Sequence, residues 1–201
     1  MSHAALFGER LIGALWAAWA VYWLAAAIGN KATRRRQSAL ARLAYVAPLL
    51  AGGVLIAWQG TPWGARLAQR LWPHGLLTVW LGLALVFVGL AVAVWARVHL
   101  GGNWSGTVTV KEDHELIRTG PYAWVRHPIY TGLLTAVLGT AIVSGTVRAL
   151  LGLAIIAAAL TVKSRTEERF MRETFPGEYP RYRAEVPALI PFTKPRRSVP
   201  R

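Results

Sequence analysis

The sequence contains no cysteine, and between Arg10 and Lys111 it contains no acidic residue. The first absence excludes disulfide bonds, thiolate metal ligands and a cysteine nucleophile. The second confines carboxylate chemistry to Glu9 or to the C-terminal half, because the remaining acidic residues begin at Glu112. The motifs GxGxxG, GxxxxGK[ST] and HExxH are also missing, so soluble dinucleotide sites, phosphate loops and zinc-protease sites have no support, and no metal site is predicted.

The composition is strongly apolar and strongly basic. Hydrophobic residues make up 54% of the chain, ten residues are tryptophan, and the formal net charge is +14. This is too apolar for an ordinary soluble surface, which favours a lipid bilayer as the solvent. The basic residues cluster between apolar runs, so anionic lipid headgroups explain them better than nucleic acid does. Membrane lipids are therefore the predicted partners, and no nucleic-acid partner is expected.

Five apolar runs approach the roughly 20 residues that a helix needs to cross a bilayer. The last two runs are short and are separated only by SGTVR, which predicts a tight helical hairpin. The predicted fold is an all-α, polytopic integral membrane bundle of about five transmembrane helices with a cytoplasmic C-terminal helical tail. The runs are Leu11 to Ile28, Leu43 to Trp58, Leu76 to Trp95, Ile129 to Val143 and Ala149 to Val162.

The positive charges predict the orientation of these spans. Of the 23 Lys and Arg residues, 19 lie in the alternate connections 29–42 and 96–128 and in the tail after 162. Since positive residues are retained in the cytoplasm, the N-terminus is predicted outside and the C-terminus inside. We expect three membrane helices within 1–95, a catalytic half at 96–192 and a disordered basic end at 193–201. Nothing in the sequence indicates an oligomeric state.

Polar residues concentrate in two segments on the predicted cytoplasmic side, 101–130 and 163–192. Pro128 suits the first turn of a helix, where its missing N–H costs nothing, so a helix is predicted to start at about His127. Arg126 and His127 then lie at the positive end of this helix, where free backbone N–H groups and a cation favour a carboxylate or phosphate. The simpler alternative is that Arg126 reaches the lipid headgroups and His127 caps the helix.

Glu167 and Glu168 are the second candidate pair. In the simpler interpretation they lie on a solvated helix face, with Glu168 and Arg172 forming a weak pair four residues apart. Alternatively, the two carboxylates turn back into the bundle just beyond an apolar helix, where polar residues are costly and usually functional.

These motifs resemble a known family. The run containing RTGPYAWVRHPIYTG, followed about forty residues later by EERFMRETFPGEYPRYRAEVPALIP, resembles the isoprenylcysteine carboxyl methyltransferase family and its wider relatives, the phospholipid methyltransferases. The similarity covers about half of the chain and is that of a short, bacterial-type member. The resemblance implies an integral protein of the bacterial inner (plasma) membrane.

The resemblance also implies S-adenosylmethionine as cofactor, bound between the last membrane helices and the tail. The predicted catalytic residues are Arg126, Glu167 and Glu168, and Arg126 is assigned by charge and helix position to a carboxylate of the cofactor or to an anionic substrate. The family pattern places the cofactor against Gly120, Pro121, Tyr122, His127, Tyr130, Glu167 and Glu168.

The predicted reaction is methyl transfer to a carboxylate or an amine of a hydrophobic or lipidic small-molecule acceptor. Two alternatives stay open at this point. One is a membrane lipid or sterol reductase that uses a nicotinamide cofactor, since such enzymes have a comparable Tyr-rich tail that ends in proline. The other is a non-catalytic, lipid-binding membrane scaffold whose basic loops hold anionic lipid.

Overall fold

The computed structural model describes residues 3–28, 33–36, 38–57, 66–101, 104, 109–111 and 116–193. Within these residues, six α-helices form a bundle with one short antiparallel strand pair. A 3-10 turn at Gly120–Ala123 precedes the fourth helix. The other elements are α1 (His3–Ala26), β1 (Thr33–Arg36), α2 (Ala39–Ala57), α3 (Leu76–Leu100), β2 (Thr109–Lys111), α4 (Pro128–Ser144), α5 (Val147–Thr174) and α6 (Glu178–Glu185).

Each of the five apolar runs falls largely on a helix, so the predicted helical architecture is confirmed. Of the described helices, α3 and α5 are long and apolar enough to cross a bilayer, whereas α4 and the apolar part of α2 are shorter. Five complete spans therefore stay a prediction. The predicted basic end lies outside the described residues from position 194 onward.

The α4–α5 hairpin has clear local causes. Pro128 is the first residue of α4 and His127 is its N-cap, as the sequence predicts. The helix ends at Gly145, whose φ of 61° is the left-handed conformation that glycine adopts without strain. Thr146 then caps α5, because its side-chain oxygen accepts a hydrogen bond from the backbone N–H of Ala149. Two residues thus reverse the chain.

The fifth helix extends well past the apolar run that predicts it. Its 28 residues continue through the polar stretch KSRTEERFMRET. At 1.5 Å per residue, α5 is roughly 42 Å long. It ends at Thr174, and Phe175 is its C-cap, because the following Pro176 disfavours helical geometry at that residue. The helical part of the predicted tail is therefore the end of α5, which carries Glu167 and Glu168.

Glycines allow α3 and α4 to pack closely along their length. A Cβ on Gly89 would lie 2.5 Å from the backbone nitrogen of Ala136 and closer still to Gly132 O. Gly82 on α3 and Gly139 on α4 meet in the same way one level further along. Since small residues let helix backbones approach, this glycine seam fixes α3 and α4 as the central pair of the bundle.

The other long helices flank this pair. α1 packs against α3, whereas α2 packs against α5, so the packing order is α1, α3, α4, α5, α2. Gly52 and Gly152 make the close approach between α2 and α5, where a Cβ on Gly52 would lie 2.9 Å from Gly152 O. α1 and α2 therefore lie at opposite edges of the bundle, and both line the cavity described below.

The strand pair was not predicted from the sequence. β1 and β2 pair antiparallel, with Thr33 opposite Lys111 and Arg36 opposite Thr109. β1 belongs to the connection between α1 and α2, and β2 to the connection between α3 and α4. Both of these basic connections therefore lie at the same end of the bundle.

Candidate active site

Arg126 and His127 lie just before α4, directly beside the C-terminal tail. The backbone N–H of Arg126 donates to Pro187 O at 2.9 Å, and that of His127 donates to Ala188 O at 3.0 Å. The sequence assigned these free N–H groups to an anionic ligand, but the chain's own tail carbonyls accept them. The tail is therefore tied to the start of α4 by backbone hydrogen bonds.

The Arg126 side chain forms a buried ion pair with Glu168. Its Nε and Nη2 donate to Glu168 Oε1 at 2.9 and 2.5 Å, and the two side chains are only 7% and 10% exposed. Nη1 donates to the carbonyl oxygens of Arg183, at 3.2 Å, and Val186. Arg126 thus holds the tail against α5, and its predicted contact with an anionic ligand stays a prediction.

A second arginine reaches the same carboxylate. Arg183 Nε on α6 lies 3.3 Å from Glu168 Oε2. Glu168 therefore lies between two guanidinium groups that come from different parts of the chain. Because breaking a buried, charge-assisted pair leaves an uncompensated charge, this arrangement favours one fixed position of the tail.

His127 lies between the two glutamates. Its Nδ1 is 3.5 Å from Glu167 Oε2, and its Nε2 is 3.4 Å from Glu168 Oε1. Burial alone would lower the pKa of His127, but the hydrogen bonds and negative charges of Glu167 and Glu168 outweigh it and raise the pKa above the ordinary value. The two carboxylates therefore shift the imidazole toward its charged form.

Glu167 has further partners on α4 and α5. The Tyr130 hydroxyl donates to Glu167 Oε1, and the Tyr130 ring stacks on His127 at 5.5 Å between centroids and 5° between planes. Lys163, one turn earlier on α5, lies 4.0 Å from Glu167 Oε1 and 5.3 Å from the centre of the Tyr130 ring. The predicted residues around Pro128 and the two glutamates thus form one contiguous network. We call it the carboxylate cluster (Arg126, His127, Tyr130, Lys163, Glu167 and Glu168).

The turn Gly120–Ala123 supports this cluster from the side. Gly120 has a φ of 58°, and a Cβ there would lie 2.8 Å from the His99 ring, so only glycine fits. Tyr122 is buried and accepts a hydrogen bond at 2.6 Å on its backbone oxygen from the Tyr182 hydroxyl. Burial raises the pKa of Tyr182, which keeps this hydroxyl protonated as a donor.

A large cavity of about 1120 Å³ opens beside the carboxylate cluster. Its walls are mainly apolar and aromatic, which is typical of a site for a hydrophobic ligand. Of the predicted site residues, Gly120, Pro121 and Glu168 do not contribute to its wall. Those that do are Tyr122, Arg126, His127, Tyr130 and Glu167.

Residues 80–173 match the model of the isoprenylcysteine carboxyl methyltransferase (ICMT) family. The predicted resemblance to this family is confirmed. The protein-S-isoprenylcysteine O-methyltransferase of Saccharomyces cerevisiae is 31% identical over 115 residues, which cover 56% of this chain and 48% of that protein. The human protein of the same name is 34% identical over 139 residues, covering 64% of this chain and 47% of its own length.

A bacterial relative carries a different name. The cobalt-zinc-cadmium resistance protein CzcN of Cupriavidus metallidurans is 32% identical over 136 residues, covering 67% of this chain and 53% of that protein. The solved structure of a eukaryotic intramembrane Ras methyltransferase, ICMT, overlays with a TM-score of 0.48 and 23% identity, covering 79% of this chain and 55% of that one. The chain spans about half the length of the curated relatives it matches.

The segment that matches the family model contains every site residue predicted from the sequence, from Gly120 to Glu168. Several residues that complete the site lie beyond it, on α6. Tyr179 and Tyr182 line the cavity, and Arg183 pairs with Glu168. The sequence signal was available, because EYPRYR spaces its two tyrosines three residues apart, which places them on one face of a helix.

Proposed function

We propose that this chain is an integral membrane methyltransferase that uses S-adenosylmethionine and methylates a carboxylate, or an amine, of a lipidic or hydrophobic acceptor. The observation that carries the proposal is the junction of a buried charged cluster with a mainly apolar cavity. Such a junction lets a polar cofactor meet an apolar acceptor without water between them.

The charged and aromatic residues on the cavity wall suit the cofactor. Glu167 on the cavity wall provides negative charge for the sulfonium and the ammonium group, and His127 with its raised pKa provides positive charge for the carboxylate. The rings of Tyr122, Tyr179 and Tyr182 also reach the wall and offer flat faces to an adenine. When bound, S-adenosylmethionine supplies a methyl carbon that its positively charged sulfur already activates.

The residues of this chain then position the reactants, exclude water and, for an amine acceptor, take up a proton. The Arg126–Glu168 pair holds the tail over the site, which positions the reactants and excludes water, an effect that can reach several kcal/mol. A carboxylate acceptor needs no general base, because it is ionised at neutral pH. For an amine acceptor, Glu167 takes the proton, since this carboxylate lines the cavity.

The apolar cavity supports a lipidic acceptor. Its wall near the cluster includes Trp104, Leu133 and Leu160, and it continues along the helices as aromatic and aliphatic surface. Burial of the acceptor's apolar tail against this surface contributes roughly 25 cal/mol per Å² of apolar area. The tail therefore supplies most of the acceptor's binding energy.

The membrane arrangement belongs to the same proposal. We place α1 to α5 in the bacterial plasma membrane, with the N-terminus outside and the carboxylate cluster and tail on the cytoplasmic side, following the distribution of Lys and Arg. Residues 1–95 then form the N-terminal membrane part, and 96–192 form the catalytic half. A soluble cofactor enters from the cytoplasm and the acceptor enters from the lipid.

Isothermal titration of the purified full chain with S-adenosylmethionine and with its demethylated product tests the proposal. We expect micromolar binding that is lost in His127→Ala and in Glu167→Gln. Glu173→Gln is the matched control, since Glu173 lies on the same helix but is exposed, and this variant should bind like the wild type. If folded wild type, in detergent and in lipid, does not bind either compound, the methyltransferase proposal is wrong.

The same titration with a reduced nicotinamide cofactor covers the reductase alternative. Binding of that cofactor, with none of S-adenosylmethionine, would favour a reductase. A non-catalytic scaffold predicts that neither cofactor binds and that His127→Ala and Glu167→Gln change nothing.

A further inference from the structure

A second polar cluster lies at the opposite end of the cavity from the carboxylate cluster. Glu9 on α1 lies 4.0 Å from Arg70 Nη2 and 3.8 Å from His74 Nε2. Arg148, in the first turn of α5, lines the cavity together with Glu9 and Arg70. We call Glu9, Arg70, His74 and Arg148 the distal cluster.

The distal cluster has hydrogen-bonding capacity that the described part of the chain does not use. Among the described residues, the buried Nε of Arg148 has no hydrogen-bond partner, and no carboxylate forms an ion pair with this side chain. The His74 side chain is 9% exposed, and neither of its ring nitrogens hydrogen-bonds to any residue that the structure describes. Buried polar groups of this kind are nearly always satisfied in proteins, so the cluster is suited to a further acceptor group.

The charges of the cluster define that acceptor. Arg70 and Arg148 are two permanent cations on the cavity wall, and Glu9 is the single carboxylate. Glu9 lies within ion-pair distance of Arg70 and His74, and no carboxylate in the described ranges balances the positive charge of Arg148. An anion that reaches Arg148 and Arg70 would restore the balance, and a carboxylate or a phosphate matches the fork of N–H donors on arginine.

The cavity connects the two clusters along one face of α4. Its wall includes Tyr130, Leu133, Val137, Thr140 and Ser144, which follow one another at three- or four-residue spacing. From the first to the last of them, the helix rises roughly 21 Å. This exceeds half of the ~30 Å hydrocarbon core of a bilayer, so a lipid chain that starts at one interface reaches well into the other leaflet.

We propose that the distal cluster binds the anionic group of a long amphiphile whose apolar chain lies in the cavity. If the amphiphile is the acceptor, this deepens the function proposed above, and the acceptor carries a second anionic group far from the methylated one. If it is a membrane lipid from the other leaflet, its headgroup phosphate occupies the distal cluster. Both cases use the same chemistry at Arg148, and binding requires no methyl transfer.

Binding of matched probes to the full chain distinguishes these cases. Native mass spectrometry in an uncharged detergent at pH 8 compares icosanedioic acid, with a carboxylate at each end, with icosanoic acid, which has one. We expect the diacid to bind at least tenfold more tightly to the wild type. Arg148→Gln should remove this advantage, because the second carboxylate of the diacid then lacks its partner at the distal cluster.

Two further variants and one lipid complete the experiment. Arg70→Gln should weaken the diacid in the same direction. Arg66→Gln, an exposed arginine near Arg70 that does not line the cavity, should have no effect. If the diacid has no advantage but single-chain phosphatidylglycerol binds in a manner that depends on Arg148, the anion is a lipid headgroup.

The proposal is overturned if binding of neither the diacid nor the single-chain phosphatidylglycerol depends on Arg148. It is also overturned if Arg66→Gln lowers binding as much as Arg148→Gln does. Titration with S-adenosylmethionine separates this failure from failure of the proposed function. Arg148→Gln should bind the cofactor like the wild type, because the residue lies at the other end of the cavity. Loss of cofactor binding in His127→Ala reports only on the carboxylate cluster.

Discussion

The two ends of the cavity carry similar residue types in opposite states. At the carboxylate cluster, Arg126 and Glu168 are 7% and 10% exposed and meet at 2.5 Å. At the distal cluster, Arg70 and Glu9 are 40% and 35% exposed and approach only to 4.0 Å. The Arg126–Glu168 pair is closed, because carbonyl oxygens of the tail accept from the remaining Arg126 donor, whereas the distal cluster has donors that no described residue uses.

This difference separates a structural role of charge from a binding role. A buried pair that is also hydrogen-bonded to backbone resists rearrangement, because moving either partner exposes the other to an apolar surrounding. An exposed pair at ion-pair distance contributes little to stability and is free to exchange partners. The comparison therefore predicts that substitutions at the two ends affect stability unequally.

The largest expected effect is that of Glu168→Leu, which leaves Arg126 buried without its counter-charge. We expect a loss of about 3–5 kcal/mol in the free energy of unfolding. Glu9→Leu, the corresponding change at the distal cluster, should cost less than about 1 kcal/mol. Chemical unfolding in one detergent, followed by tryptophan fluorescence, measures both. Equal losses in the two variants would abolish the distinction between the ends.

The walls between the two ends provide a second comparison. Gly89→Ala places a Cβ against backbone atoms of α4 and should destabilise the protein by roughly 1–3 kcal/mol. Gly53→Ala is the control, since Gly53 lines the cavity and a Cβ there meets no atom within 4 Å. We expect no loss of stability in that variant. A tolerant Gly89 would mean that the seam between α3 and α4 is looser than its geometry indicates.

A smaller effect is expected from Tyr182→Phe, which removes the hydroxyl that donates to Tyr122 O at 2.6 Å. A lost hydrogen bond of this kind costs about 1 kcal/mol, and the buried carbonyl is left without this donor. The tail should also loosen, so amide hydrogen exchange of 178–188 should become faster. Unchanged exchange there would show that the Arg126 contacts hold the tail by themselves.

The smallest change concerns pH. Because the pKa of His127 is raised in the folded protein, its contribution to stability is complete below the ordinary value of 6.5 and is lost as the pH rises through the raised pKa. The free energy of unfolding should therefore decrease as the pH rises from 6.5 through the raised pKa. His127→Gln should flatten this part of the pH profile. Arg126, Tyr130, Glu167 and Glu168 surround the imidazole and are unchanged in this variant. An identical profile in wild type and variant would contradict the assignment.

The sequence predicted the elements that have local signals. Pro128 marked the start of α4, SGTVR marked the hairpin, and the apolar runs marked the long helices. The carboxylate cluster was within reach because the family motifs named Arg126 to Tyr130 and the two glutamates. These signals are short-range or carried by a resemblance, and neither kind requires knowledge of tertiary packing.

Other features depend on contacts between distant segments. Nothing in the sequence near Arg126 indicates that the carbonyls of Arg183 and Val186 take up its Nη1 donor. The distal cluster was also missed, because its residues come from three separate places in the chain and become neighbours only when the segment before α3 meets α1 and the start of α5. The pairing of β1 and β2 depends on the same packing.

The uninterrupted helix α5 fixes the distance between the two ends of the cavity. One helix carries Arg148 in its first turn and Glu167 about five turns later, so both ends of the cavity are attached to a single rod. With a rise of 1.5 Å per residue, these two positions are roughly 28 Å apart along the axis, a spacing that side-chain motion changes little. The spacing of Arg148 and Glu167 along α5, more than the volume of the cavity, then sets the length of amphiphile that can reach both ends.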